Sequence, residues 1–188
     1  QVQTIISNLK NQQPALVDEV VPKMFSIGEV QKVLANLLRE GISIRDIGSI
    51  LEIMADYGTI TKDADILTEQ VRQKLRRAIT KNFIPTGEAR VITISPDTEK
   101  AIMASLRQTD QGVHAALEPT QVHKLLGGIK KAAESAMNLG ITPIMITSPQ
   151  IRRQIKSLSM QVAPDLVVLS YNELEQDVKI ISDWVVSV

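Results

Sequence analysis

The sequence predicts an α+β chain in two parts: an all-helical subdomain over residues 1–84, then an α/β subdomain over residues 85–188 with a small mixed β-sheet covered by helices. Three observations carry this. Before Phe83 the apolar residues recur only at helical spacing. At Phe83-Ile84-Pro85-Thr86-Gly87, proline and glycine punctuate a linker. Beyond it, short β-rich runs alternate with helical stretches.

The helical part opens with weaker helices over Gln1–Gln13 and Pro14–Val21, the second with proline in its first turn; Pro22 breaks the chain before Ser26. Ser26–Glu40 places Ile27, Val30, Leu34, Leu37 and Leu38 on one stripe. Ser26 and Glu29 form a capping box, and Gly41 stops the helix. Ser43 is expected to cap the next helix, whose stripe is Ile44, Ile47, Ile50, Leu51 and Met54 and which ends at Tyr57-Gly58. The short connection makes these two helices neighbours. A third helix is expected from Asp63 to Asn82, with Leu67, Val71, Leu75, Ala78 and Ile79 inward.

In the second part, Arg90–Ser95 reads as a strand, Pro96–Gln108 as a helix and Gln111–Leu117 as a loop or turn. Pro119–Leu139 is a long helix closed by Gly140. Pro143–Thr147, Leu166–Ser170 and Val178–Val186 read as strands, with a helix over Pro149–Met160. A helical crossover favours parallel pairing of the middle two strands. The short link Tyr171–Asp177 favours antiparallel pairing of the last two.

Composition excludes several functions. The chain has 188 residues, 21 basic and 21 acidic side chains, no cysteine, two histidines and five aromatics. Without cysteine there is no disulfide framework, thiol nucleophile or thiolate metal site. Five aromatics are too few for a base-stacking platform. Residues 1–84 carry 11 basic and 10 acidic groups and residues 85–188 carry 10 and 11, so neither part is a hidden basic reader of nucleic acid. No apolar run reaches the ~18 residues of a membrane span, and this chain is expected to make no membrane contact of its own. It lacks an initiator methionine at Gln1 and reads as a piece of something longer.

The candidate chemistry is sparse. Two Ser-Pro turns, Ser95-Pro96 and Ser148-Pro149, sit between a strand and a helix, where free amides attract anions. Arg152 and Arg153 follow the second. Neither turn has the glycines of a phosphate loop, so helix capping is the plainer reading. A small α/β nucleotide- or anion-binding domain with a helical appendage is the alternative these turns support. The basic run Lys74–Lys81 reads as the C-terminal end of a helix whose start is acidic, or as a nucleic-acid patch. His114 and His123 lack metal-ligand spacing, and no GxSxG elbow accompanies the serines. Gly127-Gly128 inside a helix calls for close packing or a bend. Nothing here makes an enzyme, a cofactor site or a metal site. Polar residues instead crowd one helix–helix corner, at Arg39, Glu40, Arg45 and Asp46.

That corner also carries a resemblance. LLREGISIRDIGSILEIMADY (37–57), TKDADILTEQVRQKLRRAI (61–79), LVDEVVPKMFSIGEVQKVLANLL (16–38) and DLVVLSYNEL (165–174) resemble the cytoplasmic region of the FlhA/InvA (LcrD) family, the export-gate proteins of flagellar and virulence type III secretion systems. The match is strongest over 16–83, weaker over 84–142, and closer to the flagellar branch. The resemblance implies that residues 1–84 and 85–188 are the third and fourth of four cytoplasmic subdomains, behind a bundle of membrane helices on the cytoplasmic side of the bacterial inner membrane. It implies a homo-oligomeric ring contacted largely through the helical subdomain. The ring docks export chaperone–substrate complexes and works with the export ATPase complex and the switch protein FlhB. The family's main chaperone cleft lies upstream of Gln1, so no chaperone-site residue is carried over. Arg39, Arg45, Asp46 and Arg72 are the residues expected to make polar contacts at the corner or in the ring.

Overall fold

The computed structural model describes residues 2–188, and side chains from residue 3 onward. The chain divides into two compact units, the first ending at Ile79 and the second running from Thr80 to Val188.

The first unit is helical: α1 (Val2–Gln12), α2 (Pro14–Val20), α3 (Ile27–Arg39), α4 (Ile47–Tyr57) and α5 (Ala64–Lys74), with α6 (Arg76–Phe83) spanning the division. The expected capping box is formed: Glu29 N–H donates to Ser26 Oγ at 3.1 Å, and Ser26 N–H donates to Glu29 Oε1 at 2.9 Å. Helix α3 ends in a Schellman turn. Gly41 sits at φ 76°, its N–H donates to Leu38 O at 3.0 Å, and Ile42 N–H donates to Leu37 O at 3.0 Å. Val30, Val33, Leu34 and Leu37 of α3 have no exposed surface, and neither do Ile50, Leu51 and Met54 of α4 or Val71 of α5.

Two expectations are corrected here. Helix α4 is capped by Asp46, not Ser43, because Ser43 Oγ accepts the Arg45 N–H in a local turn, while Asp46 accepts from the Ser49 N–H and, at 2.7 Å, from its hydroxyl. The expected single helix over Asp63–Asn82 is two, broken at Leu75, whose N–H is shared between the Val71 and Arg72 carbonyls.

The second unit holds β1 (Glu88–Ile94), α7 (Pro96–Ser105), β2 (Leu106–Thr109), β3 (Gly112–Ala115), α8 (Pro119–Asn138), β4 (Ile144–Thr147), α9 (Arg152–Ser159), β5 (Val167–Ser170), a 3-10 turn (Tyr171–Glu173) and β6 (Lys179–Val186). The main sheet has the order β5-β4-β1-β6 and is parallel throughout; β2 and β3 form a separate antiparallel hairpin. The α+β class is as expected, with both strand senses present but in different sheets.

The antiparallel pairing expected of the last two strands does not occur, for a physical reason. Glu173 is held by Arg152 of α9, and the Thr80 hydroxyl donates to Glu173 O (3.2 Å) and accepts from Glu175 N–H (3.1 Å). Thr80 lies just upstream of β1. These ties lead the chain away from β5 to the start of β1, where Lys179 N–H donates to Gly87 O at 2.8 Å and β6 begins. The expected helix over Pro96–Gln108 also stops early, at Ser105. The alternating run after it folds into the hairpin, and Thr109 Oγ1 bridges the two-residue loop by donating to Gly112 O and accepting from Gln111 N–H.

The glycine pair in α8 has divided roles. A Cβ on Gly128 would lie 2.9 Å from Val186 Cγ1 of β6, whereas one on Gly127 would meet nothing within 4 Å. Gly128 is the price of seating α8 on the sheet. In urea unfolding, Gly128→Ala is expected to destabilise by about 1–3 kcal/mol because stiff Val186 cannot yield. Gly127→Ala is expected to stabilise by roughly 0.4–1 kcal/mol.

Candidate functional site

The polar corner of the helical unit separates the four residues picked from sequence. Arg72 on α5 is 1% exposed and faces Glu40, the C-cap of α3, at 3.6 Å. A buried guanidinium against a helix C-terminus meets both a carboxylate and the negative end of the dipole. Asn36 adds a second tie one turn earlier, donating to Asp65 Oδ1 at 3.3 Å and to Thr68 Oγ1 at 3.1 Å on α5. Arg72 is thus an interior brace between α3 and α5. Asp46 is spent on capping α4.

Arg39 and Arg45 are exposed. Arg39 donates to Asn36 Oδ1 at 3.2 Å, in line with the brace, while the Arg45 guanidinium makes no hydrogen bond or ion pair among the described residues. Beside them Leu38, expected within the apolar stripe, is 53% exposed. Its neighbour Leu37 takes the inward position, and the last turn of α3 leaves Leu38 outside. The corner therefore presents an apolar side chain and two guanidinium groups on an internally braced base. A rigid surface of mixed apolar and cationic character suits contact with another protein.

The other candidates resolve differently. Ser95 is the N-cap of α7, but its hydroxyl bonds Thr98 Oγ1 (2.8 Å) rather than a free amide. Ser148 caps nothing: α9 begins three residues beyond Pro149, at Arg152, and the Ser148 hydroxyl donates to the Glu99 carboxylate. A carboxylate at that turn repels an anion. Arg152 is also withdrawn, fully buried with its NH1 on Val168 O at 2.9 Å and its Nε 3.7 Å from Glu173 Oε2. Burial first, and then the Glu99 charge, raises the pKa of the nearby Tyr171 phenol.

In a parallel sheet of this order the crevice where strand order reverses lies at the carboxyl ends of β1 and β6. Here it is crossed by Ser95 N–H on Val186 O (2.9 Å) and Val188 N–H on Thr98 Oγ1 (3.1 Å). His114 on β3 and His123 on α8 are both exposed, and no group of three metal-ligating side chains occurs among the described residues. No helix among them is long and apolar enough to cross a membrane.

Comparison with known proteins gives this braced two-unit fold a class. It is similar to the solved C-terminal domain of InvA, with a TM-score of 0.88 and 26% identity over 98% of this chain and 56% of that one. It is also similar to the nonameric EPEC SctV-C, with a TM-score of 0.85 and 26% identity over 99% and 55%. Among curated proteins, the flagellar biosynthesis protein FlhA of Bacillus subtilis (strain 168) is 43% identical over 98% of this chain, and a model of the FHIPEP family matches residues 1–179. The chain belongs to the FHIPEP family. It spans about a quarter of its curated relatives, 27% of the Bacillus subtilis protein.

Proposed function

We propose that this chain is a non-enzymatic scaffold and interaction part of a flagellar type III protein-export gate. Residues 1–84 act as the third and residues 85–188 as the fourth cytoplasmic subdomain, on the cytoplasmic side of the inner membrane. The helical unit contributes to a ring of identical subunits. Through the whole parent protein that ring docks export chaperone–substrate complexes, the export ATPase complex and an FlhB-type switch protein.

One observation carries this reading: Leu38, Arg39 and Arg45 are exposed together on a corner whose own stability is secured by buried Arg72. A solved relative of the same fold is described as nonameric. Arg39 and Arg45 are the direct ring contacts in this reading, and Asp46 and Arg72 hold the corner in shape.

The expected result of Arg45→Glu in the parent protein is loss of swarming with unchanged protein level and melting temperature. Among the described residues the guanidinium has no hydrogen bond or ion pair, so its reversal costs the fold within about 0.5 kcal/mol. Wild-type swarming from Arg45→Glu and Arg39→Glu together would remove this corner from the ring.

A further inference from the structure

We propose that the first half of β1 is a strand-addition site for an extended segment of a partner protein. That segment is apolar at alternate positions and carries a lysine or arginine to face Glu88. This goes beyond the ring and does not depend on it.

All seven residues of β1 have partners on β6, from Glu88↔Lys179 to Ile94↔Val186. On the other side only Ile92 and Thr93 are paired, with Met145 and Ile146 of β4. The ladder irregularity between Val91 and Ile92 falls where β1 passes from one neighbour to two. Residues 88–90 therefore keep one open edge inside the sheet. Gly87 O is turned toward β6, where it accepts from Lys179 N–H at 2.8 Å. Backbone groups alternate along a strand, so the N–H and C=O of Glu88 and Arg90 are turned to the open side. The Thr86 hydroxyl, itself lining the cleft there, donates to Glu88 O at 3.0 Å, as this alternation requires. Among the described residues the Glu88 N–H and both backbone groups of Arg90 have no main-chain partner on that side.

The open edge faces a cleft of about 470 Å³, walled by Phe83, Ile84 and Pro85 on one side and Ile141 and Ile144 on the other. Its far wall is fixed. Gly140, at φ 74°, closes α8 in a Schellman turn with Gly140 N–H on Met137 O (2.9 Å) and Ile141 N–H on Ala136 O (3.0 Å). Pro143, next along, has no N–H to offer β1.

Free main-chain groups at strand period between apolar walls fit another main chain, with side-chain pockets at alternate positions. Charge sets the remaining preference. Arg90 is ion-paired to Asp183 and lies over the Trp184 ring. Glu88 is exposed with no side-chain partner among the described residues, so among the side chains that line the cleft the unpaired charge is negative.

The test is amide hydrogen exchange by NMR on the full chain, with acetyl-Val-Lys-Val-Thr-Val-amide as the probe. At about 1 mM peptide, exchange at Glu88 and Arg90 is expected to slow about tenfold, while Ala89 and Val91, already on β6, stay unchanged. Glu88→Lys should weaken this peptide about tenfold and favour its analogue with glutamate in place of lysine. Unchanged exchange at Glu88 and Arg90 overturns the proposal. So does slowing confined to the outer edge of β6, or equal affinity after Glu88→Lys.

Discussion

Arg152→Met is expected to unfold the α/β unit at temperatures the parent chain withstands. Arg152 and Glu173 are each 1% exposed at the side chain, and Arg152 also donates to Val168 O. Removing one member of a buried ion pair strands the other, at a cost of about 3–5 kcal/mol. For a unit of this size that lowers the melting temperature by roughly 15 °C or more. The same loss loosens the path of the chain from β5 to β6, which Glu173 helps to set. Glu173→Gln added to Arg152→Met should recover part of the loss, and calorimetry of the four-member cycle gives the coupling directly. Additive losses would mean that the pair does not brace this end of the sheet.

The second large effect is expected from Arg72→Glu in the helical unit. It sets a buried carboxylate against Glu40 where the native pair is 3.6 Å apart, and should cost about 3–5 kcal/mol. Arg72→Met tells the two contributions apart. Glu40 keeps 17% of its side chain exposed and can turn to water, so the neutral variant should lose only about 1–3 kcal/mol. Loss of far-UV helical signal with denaturant reads both. Equal, small losses would place Arg72 outside the brace and make its burial incidental.

Local structure was legible in the sequence wherever the determining contacts lie within a few residues. The Ser26–Glu29 box and the Gly41 and Gly140 stops involve neighbours at most five positions apart, and they form as expected. Sheet order was not legible: a link as short as Tyr171–Asp177 looks antiparallel until Thr80, 93 positions from Glu173, is seen to hold it. The burial of Arg72 and Arg152 was hidden for a similar reason. Charged residues are rarely interior, and these two are admitted by carboxylates, Glu40 and Glu173, that composition does not reveal as their partners. Arg72 carried one local hint, lying four residues after buried Thr68 and beside Val71 on the flank of the α5 stripe. Leu38 carried none, since Leu37 and Leu38 compete for the same inward place. The cleft along β1 arises from two ladders of unequal length, which no window of sequence contains.

The proposed self-contact of subunits through the braced corner is most directly tested by the mass distribution of the parent's cytoplasmic region in solution, wild type against Arg45→Glu. Ring-sized assemblies are expected for the wild type and a shift toward single subunits for Arg45→Glu, with superimposable melting curves. Ring assemblies of unchanged mass and abundance in Arg45→Glu would contradict the proposed contact.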